Sequence, residues 1–240
     1  MGYLIRTRDE FYLDGTPALS VGLAVEIPPV PPMAQQRYTT WQAGGDTPIS
    51  VPDNEYDPIK YQITARVIKN PDGFDNTEIY RFLQNKKILQ ISRLPEKHFK
   101  ILRILGVTPK QNYRANEITY QITFMLEPWK YHDENPEIIV PAGGVIVNPG
   151  ARYSKPVFRC TVASVGSKLT CNGVELTINQ TGAITIDSER MLIYKTVSGV
   201  NTAITQYTVG QLPMLSVGTN AIGWTEGISN LSCVGNWRDY

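Results

Sequence analysis

At 240 residues the chain is long enough for two domains that each bury a core. Lys+Arg 23 against Asp+Glu 22 leaves a net charge of +1, so no global field recruits nucleic acid or an anionic membrane. No apolar run approaches the roughly 18 residues of a membrane span.

Charge is spread unevenly. Residues 1–135 hold 16 basic and 16 acidic side chains and residues 136–240 only 7 and 6, with Thr, Ser, Asn and Gly filling the difference. Two compositions imply two domains, 1–135 and 136–240. At the start of the chain, Arg6, Arg8, Asp9 and Glu10 come too early for the apolar core of a signal peptide. Arg6 also stands where a myristoylation motif wants Ser or Thr, so a soluble, unsecreted protein is expected. Cys160, Cys171 and Cys233 all lie in the second half. An odd number argues against a fully paired disulfide framework, and buried free thiols are expected.

In chain order, Tyr3 to Phe11 reads as a strand and Asp14-Gly15 as a tight hairpin turn. A second strand is expected from Leu19 to Ile27, ending in Pro28-Pro29-Val30-Pro31-Pro32, which must be extended polyproline II. That run suits a stiff spacer better than a ligand for a proline-binding module. Residues 35–58, with Gly44-Gly45, Pro48, Pro52 and Pro58, read as a long irregular loop, and such loops are commonly functional or interaction arms.

Ile59 to Lys69 alternates Ile, Tyr, Ile, Ala, Val, the period of a half-buried strand. Asn70-Pro71-Asp72-Gly73 is a turn. Asp75 or Thr77 then caps a short helix burying Ile79, Phe82 and Leu83, which ends near Asn85. Lys87 to Leu94 and Phe99 to Leu105 form a hairpin around Pro95-Glu96-Lys97. It leads to the strand that organises the whole half, where Ile118, Tyr120, Ile122, Phe124 and Leu126 alternate with Thr119, Gln121 and Thr123 before Pro128 ends the ladder. The first domain is therefore a small α+β unit: a mainly antiparallel sheet with one short helix. His132 to Pro136 is a polar boundary.

In the second half Asn172-Gly173 demands a type I′ turn. Its register pairs Cys171 with Val174, Thr170 with Glu175, Leu169 with Leu176 and Lys168 with Thr177, placing Cys171, Val174, Leu169 and Leu176 on a core face. Further strands are expected at Val157 to Val162, Ala183 to Asp187, Met191 to Lys195, Ala203 to Tyr207 and Leu231 to Asn236, the spacing of an all-β sandwich. The fold class is mainly β.

Chemistry is sparse. His98 and His132 have no partner at ligand spacing and read as exposed surface histidines, and no metal or other cofactor is expected. No nucleophile elbow, zinc-protease, P-loop or dinucleotide fingerprint occurs, so an enzyme is not expected. Asp187 and Glu189 sit together at a turn that Asp187 caps. Trp129, Trp224 and Trp237 are candidate sugar-stacking platforms, although burial is the commoner fate of tryptophan in a β domain.

Phe124 to Tyr131 resembles the strand-ending Phe-x3-Pro-aromatic-x-Tyr element of the distal tail proteins of phages with long, non-contractile tails. From about Ile59 onward the order of elements is similar too. Asn148-Pro149-Gly150 leads to Pro156, then come the Asn172-Gly173 hairpin, Ile184-Thr185-Ile186-Asp187, Leu212-Pro213-Met214-Leu215 and Gly218-Thr219-Asn220-Ala221-Ile222.

The resemblance implies a virion protein of the tail tip or baseplate. Its first domain would close into a homo-hexameric ring around the DNA channel, and its second would be a galectin-like β-sandwich. Its partners would be the tail tube protein and a tail-associated tip or lysin protein, with no specific nucleic-acid binding and no membrane. The galectin sugar signature, His-x-Asn-Pro-Arg, is missing, since Ile146 stands at its His position and Gly150 at its Arg position. The stretch from Ile27 to Pro58, with Ile27, Val30 and Trp41, is the candidate arm toward a neighbouring subunit. The alternative is a carbohydrate-binding sandwich that contacts host cell-wall glycans through Trp224 and Trp237.

Overall fold

The structure, a computed structural model, describes residues 10–25, 28–41, 49–68, 76–112, 117–141 and 143–240, with the side chains of residues 41, 49, 54 and 112 outside that description. The chain divides into two compact units, residues 1–131 with Tyr240, and residues 132–239.

Strands up to the boundary are β1 (Phe11–Leu13), β2 (Thr16–Pro17), β3 (Leu23–Ala24), β4 (Gln36–Trp41), β5 (Ile49–Tyr56), β6 (Ile59–Val67), β7 (Ile88–Ile91), β8 (Lys97–Asn112), β9 (Glu117–Leu126) and β10 (Lys130–His132). One helix, α1 (Thr77–Leu83), lies between β6 and β7. The main sheet runs β2-β1-β7-β8-β9-β6-β3, and its pairings are antiparallel.

Strand β9 has a neighbour on each side because its alternation matches its burial. Tyr120, Ile122, Phe124 and Leu126 are buried while Thr119, Gln121 and Thr123 are only half covered. Ile122 stands opposite Ile63 on β6 and Val107 on β8. Two irregularities in β8, at Ile101/Arg103 and Ile104/Gly106, let one long strand bend. Helix α1 seals the core with Ile79, Phe82 and Leu83, and the Tyr120 hydroxyl donates to Asn76 Oδ1 at its start.

The Asp14-Gly15 turn joins β1 to β2, with φ of 49° and 78°. Residues 3–9 of the expected first strand, Lys69, Asp75 and the Asn70-to-Gly73 turn lie outside the described residues. The strand expected from Leu19 to Ile27 is replaced by a 3-10 turn, Ala18–Val21, and the short β3. Local bonds win there: Ser20 Oγ donates to the Pro17 carbonyl at 2.7 Å, the Leu19 N–H donates to Glu10 Oε1 at 3.2 Å, and Gly22 turns left-handed at φ 78°. The loop expected over residues 35–58 is instead a hairpin of β4 and β5 that, among the described residues, pairs with no other strand.

The second unit holds β11 (Glu137–Ile139), β12 (Val145–Asn148), β13 (Val157–Val162), β14 (Ser167–Cys171), β15 (Val174–Ile178), β16 (Gly182–Asp187), β17 (Leu192–Val197), β18 (Val200–Ala203), β19 (Thr208–Gly210), β20 (Gly218–Trp224) and β21 (Ile228–Val234). They form a six-stranded sheet, β11-β21-β13-β16-β17-β18, and a five-stranded sheet, β12-β20-β14-β15-β19. Phe158, Ile184 and Ile186 from the first and Leu169, Leu176, Ile178 and Ile222 from the second belong to one buried core.

The β14–β15 register is the one the Asn172-Gly173 turn requires. Val174 departs from it, being 42% exposed beside the turn, where the pleat no longer faces the core. Ala203 to Tyr207 is not one strand: β18 ends at Ala203 and Thr205–Tyr207 is a 3-10 turn. There Thr205 Oγ1 accepts from the Ile193 N–H at 2.9 Å and Thr208 Oγ1 donates to the Thr205 carbonyl at 2.7 Å, so side chains stand in for ladder bonds.

Candidate functional site

The arm begins at the proline run. Pro31 and Ala34 are buried, whereas Val30 is 48% and Met33 68% exposed. The Tyr61 hydroxyl donates to the Pro29 carbonyl at 2.5 Å, tying the extended segment to β6, and burial pushes that phenol well above its usual range.

Hairpin β4–β5 follows. Arg37, Tyr38, Thr39 and Thr40 on one strand and Ser50, Val51, Pro52 and Asp53 on the other are all exposed, so the hairpin has no buried face there. Polar pairs hold it: Arg37 Nη1 reaches Glu55 Oε2 at 2.5 Å, Arg37 Nε reaches Asp57 Oδ1 at 3.2 Å, and Thr40 and Ser50 share a 3.0 Å hydroxyl bond. Asp57 and then Glu55 raise the Arg37 guanidinium further. Pro52, opposite Tyr38, is tolerated because each strand keeps one free edge. Of the candidate arm residues, Ile27 lies outside the described residues. Trp41 ends β4 opposite Ile49, with its side chain outside the description.

The element that ends β9 is internal. Trp129 and Tyr131 are buried; Trp129 meets Tyr56 at 4.9 Å between centroids, and Tyr131 donates to Glu127 Oε2 at 2.5 Å with Lys100 Nζ 4.0 Å from its ring centroid. The asparagines of the second unit are internal as well. Asn148 donates to the carbonyls of Arg152 at 2.9 Å and Leu215 at 3.2 Å, and accepts from the Gly150 N–H at 2.9 Å. Asn220, fully buried, donates to the Ser216 and Gly218 carbonyls and accepts from Asn172 Nδ2 at 2.7 Å. Asn172 in turn accepts from the Ala221 N–H at 2.9 Å.

Asp187 caps its own turn, with Oδ1 accepting from the N–H groups of Glu189 at 3.1 Å and Arg190 at 3.0 Å. His98 and His132, expected on the surface, are half-buried. His98 stacks on Tyr131, and His132 Nε2 lies 3.1 Å from Asp239 Oδ2. Trp237 is buried at 4% exposure within the core and leaves no ring face for a sugar. Trp224 is half-buried against that core. Cys160, Cys171 and Cys233 are free and buried, and desolvation pushes their thiols up to about 11, 11 and 12. Among the described residues no group of three or more His, Cys, Asp or Glu is placed to hold a metal ion. No helix among them is long and apolar enough to cross a membrane.

An open trough of about 430 Å³ lies along the six-stranded sheet, lined by residues of β13, β16, β17, β18 and β21. By register Arg159 stands opposite Thr185 and Ser232, Thr185 opposite Tyr194, and Thr196 opposite Asn201. Apart from Thr185, named only within the Ile184-to-Asp187 stretch, nothing in the sequence singled these residues out. Their signal is the polar half of an alternation whose apolar half drew attention.

The fold so described is that of a phage distal tail protein, and the resemblance read from the sequence holds at the level of the fold. The crystal structure of SPP1 Dit (gp 19.1), described as a paradigm of the hub adsorption apparatus in phages that infect Gram-positive hosts, is similar with a TM-score of 0.70 at 14% identity, over 97% of this chain and 99% of that one. No protein-family model and no curated protein sequence matches the chain.

Proposed function

We propose that the chain is a structural hub of a phage tail tip. Residues 1–135 close into a hexameric ring around the DNA channel, and residues 136–240 form a galectin-like sandwich. The ring joins the tail tube to the tip proteins that contact the host, so the protein belongs to the virion and is assembled in the host cytoplasm.

The similarity to SPP1 Dit over nearly the full length of both chains supports this reading, but the observation that carries it is the arm. A hairpin on its own is marginally stable in water, and among the described residues β4–β5 pairs with no further strand and is exposed on both faces over residues 37–40 and 50–53. A neighbouring copy supplies the missing surface, with Val30, Met33 and Trp41 as its apolar contacts. The chain catalyses nothing on this account. Its near-neutral charge suits a passage through which DNA must slide, since each phosphate gripped would have to be released again.

Light scattering coupled to size exclusion tests the arm. Wild type is expected as hexamers, alone or closed by its tail neighbours, and Trp41→Ala weakens the association roughly tenfold or more, the scale of an interface hot spot. A stable monomer at high concentration, unchanged by Trp41→Ala, contradicts it.

A further inference from the structure

We propose that β12 is a docking edge for β12 of a second copy of the chain, so that the five-stranded sheets of two second units join into one. Every group it uses lies in the second unit, so the contact is independent of the arm.

The direction of the backbone comes first. The Ile222 N–H donates to the Gly144 carbonyl at 2.9 Å, and β12 sets Val145 opposite Ala221 and Val147 opposite Thr219 on β20. Backbone groups alternate sides along a strand, so Gly144, Ile146 and Asn148 turn theirs toward β20, and Val145 and Val147 turn theirs away. Strand β12 ends its sheet, and among the described residues no backbone bond reaches the two valines from that side. Their side chains are 56% and 60% exposed, so the edge lies open. Two N–H and two C=O groups in a line are a template for another strand.

Edges are normally blunted by charge, proline or a bulge, and the other edge strands of the second unit differ from β12 in this respect. Strand β11 carries Glu137, held by Arg159 at 2.8 Å. Strand β18 places Asn201 and Thr202 at its centre, with Asn201 tied to Thr196 at 2.8 Å. Strand β19 is three residues long and ends in Gly210 at φ 116°. No charged residue stands anywhere from Ile138 to Ala151, so nothing of the kind guards β12.

The occupant follows from self-complementarity. In an antiparallel pairing centred on Ile146, Val145 stands opposite Val147 of the partner subunit. Each valine then gives its N–H and takes one at its C=O, so four backbone bonds form and neither edge keeps an unused polar group. The valine side chains meet on one outward face, where β-branched pairs add to the contact. The pairing is isologous and closes as a dimer. An edge of four residues covers far less than the roughly 800 Å² per partner of a standard interface, so the dimer is weak unless the copies are already held together.

The test is sedimentation velocity on the full chain from about 10 μM to 1 mM, the range of a weak contact, for wild type and for Trp41→Ala. In Trp41→Ala the mass doubles as concentration rises. Val147→Lys, at an exposed position, weakens that association roughly tenfold or more, as an edge lysine does. Val147→Pro removes an N–H that the monomer does not use and acts in the same direction. Amide exchange gives a second readout: the Val145 and Val147 amides exchange more slowly at high concentration, whereas the Ile146 amide, turned toward β20, does not change. The proposal is overturned if the mass does not rise, if the rise survives Val147→Lys and any folded Val147→Pro, or if the two valine amides exchange at one rate throughout. Hexamers absent from wild type count against the ring alone, so each idea fails on its own result.

Discussion

Three asparagines clamp the turns of the second unit because an amide donates and accepts at once. Asn220 is fully buried and answers several backbone carbonyls. Asn220→Ala therefore strands those acceptors and is expected to cost about 2–4 kcal/mol, read as a lower urea midpoint. A change under about 0.5 kcal/mol would remove its role.

The thiols make a pH prediction. Cys160 and Cys233 are held at about 11 and about 12 in the fold, above the roughly 8.5 of an unfolded cysteine. Raised folded values mean that their contribution is whole below the unfolded value and shrinks as pH rises toward the folded ones. Unfolding free energy should fall between about pH 9 and pH 11, less steeply in Cys160→Ala/Cys233→Ala. Identical slopes in the two proteins would contradict it.

At this scale the sequence was partly legible. Asn172-Gly173 and Asp187 act as their residue types require, because their partners are local. Asn220 and Thr185 stood in the sequence only as members of the ordered series, with nothing local to mark their roles, since their surroundings come from strands far away in sequence.

At the scale of elements, β9 was readable because period-2 alternation coincides with burial on one face. Phe124→Ala, fully buried on that face, should cost about 3–5 kcal/mol in denaturant titration. A loss under about 1 kcal/mol would mean that β9 is not the organising strand. Hairpin β4–β5 was read as a loop for the opposite reason. Exposed on both sides, it has no apolar alternation to find, and its prolines argue against a strand wherever both edges are paired. Replacing residues 37–55 by a short Gly-Ser linker, which keeps Tyr56 against Trp129, should leave the urea midpoint of the rest nearly unchanged while abolishing self-association. If the protein instead unfolds, the hairpin belongs to the core and not to an interface.

For the whole molecule the sequence carried two compositions, a mainly β class and a family order. The six-stranded and five-stranded sheets of the second unit could not be assigned strand by strand, since β11, β12 and β20 are short or Gly-flanked and show little of their own periodicity. What matters most is what the chain builds with its neighbours. Images of the negatively stained, purified protein, alone and with its tail neighbours, test it most directly. The account predicts closed rings with six-fold symmetry and an open centre, and solitary globules under every condition would contradict it.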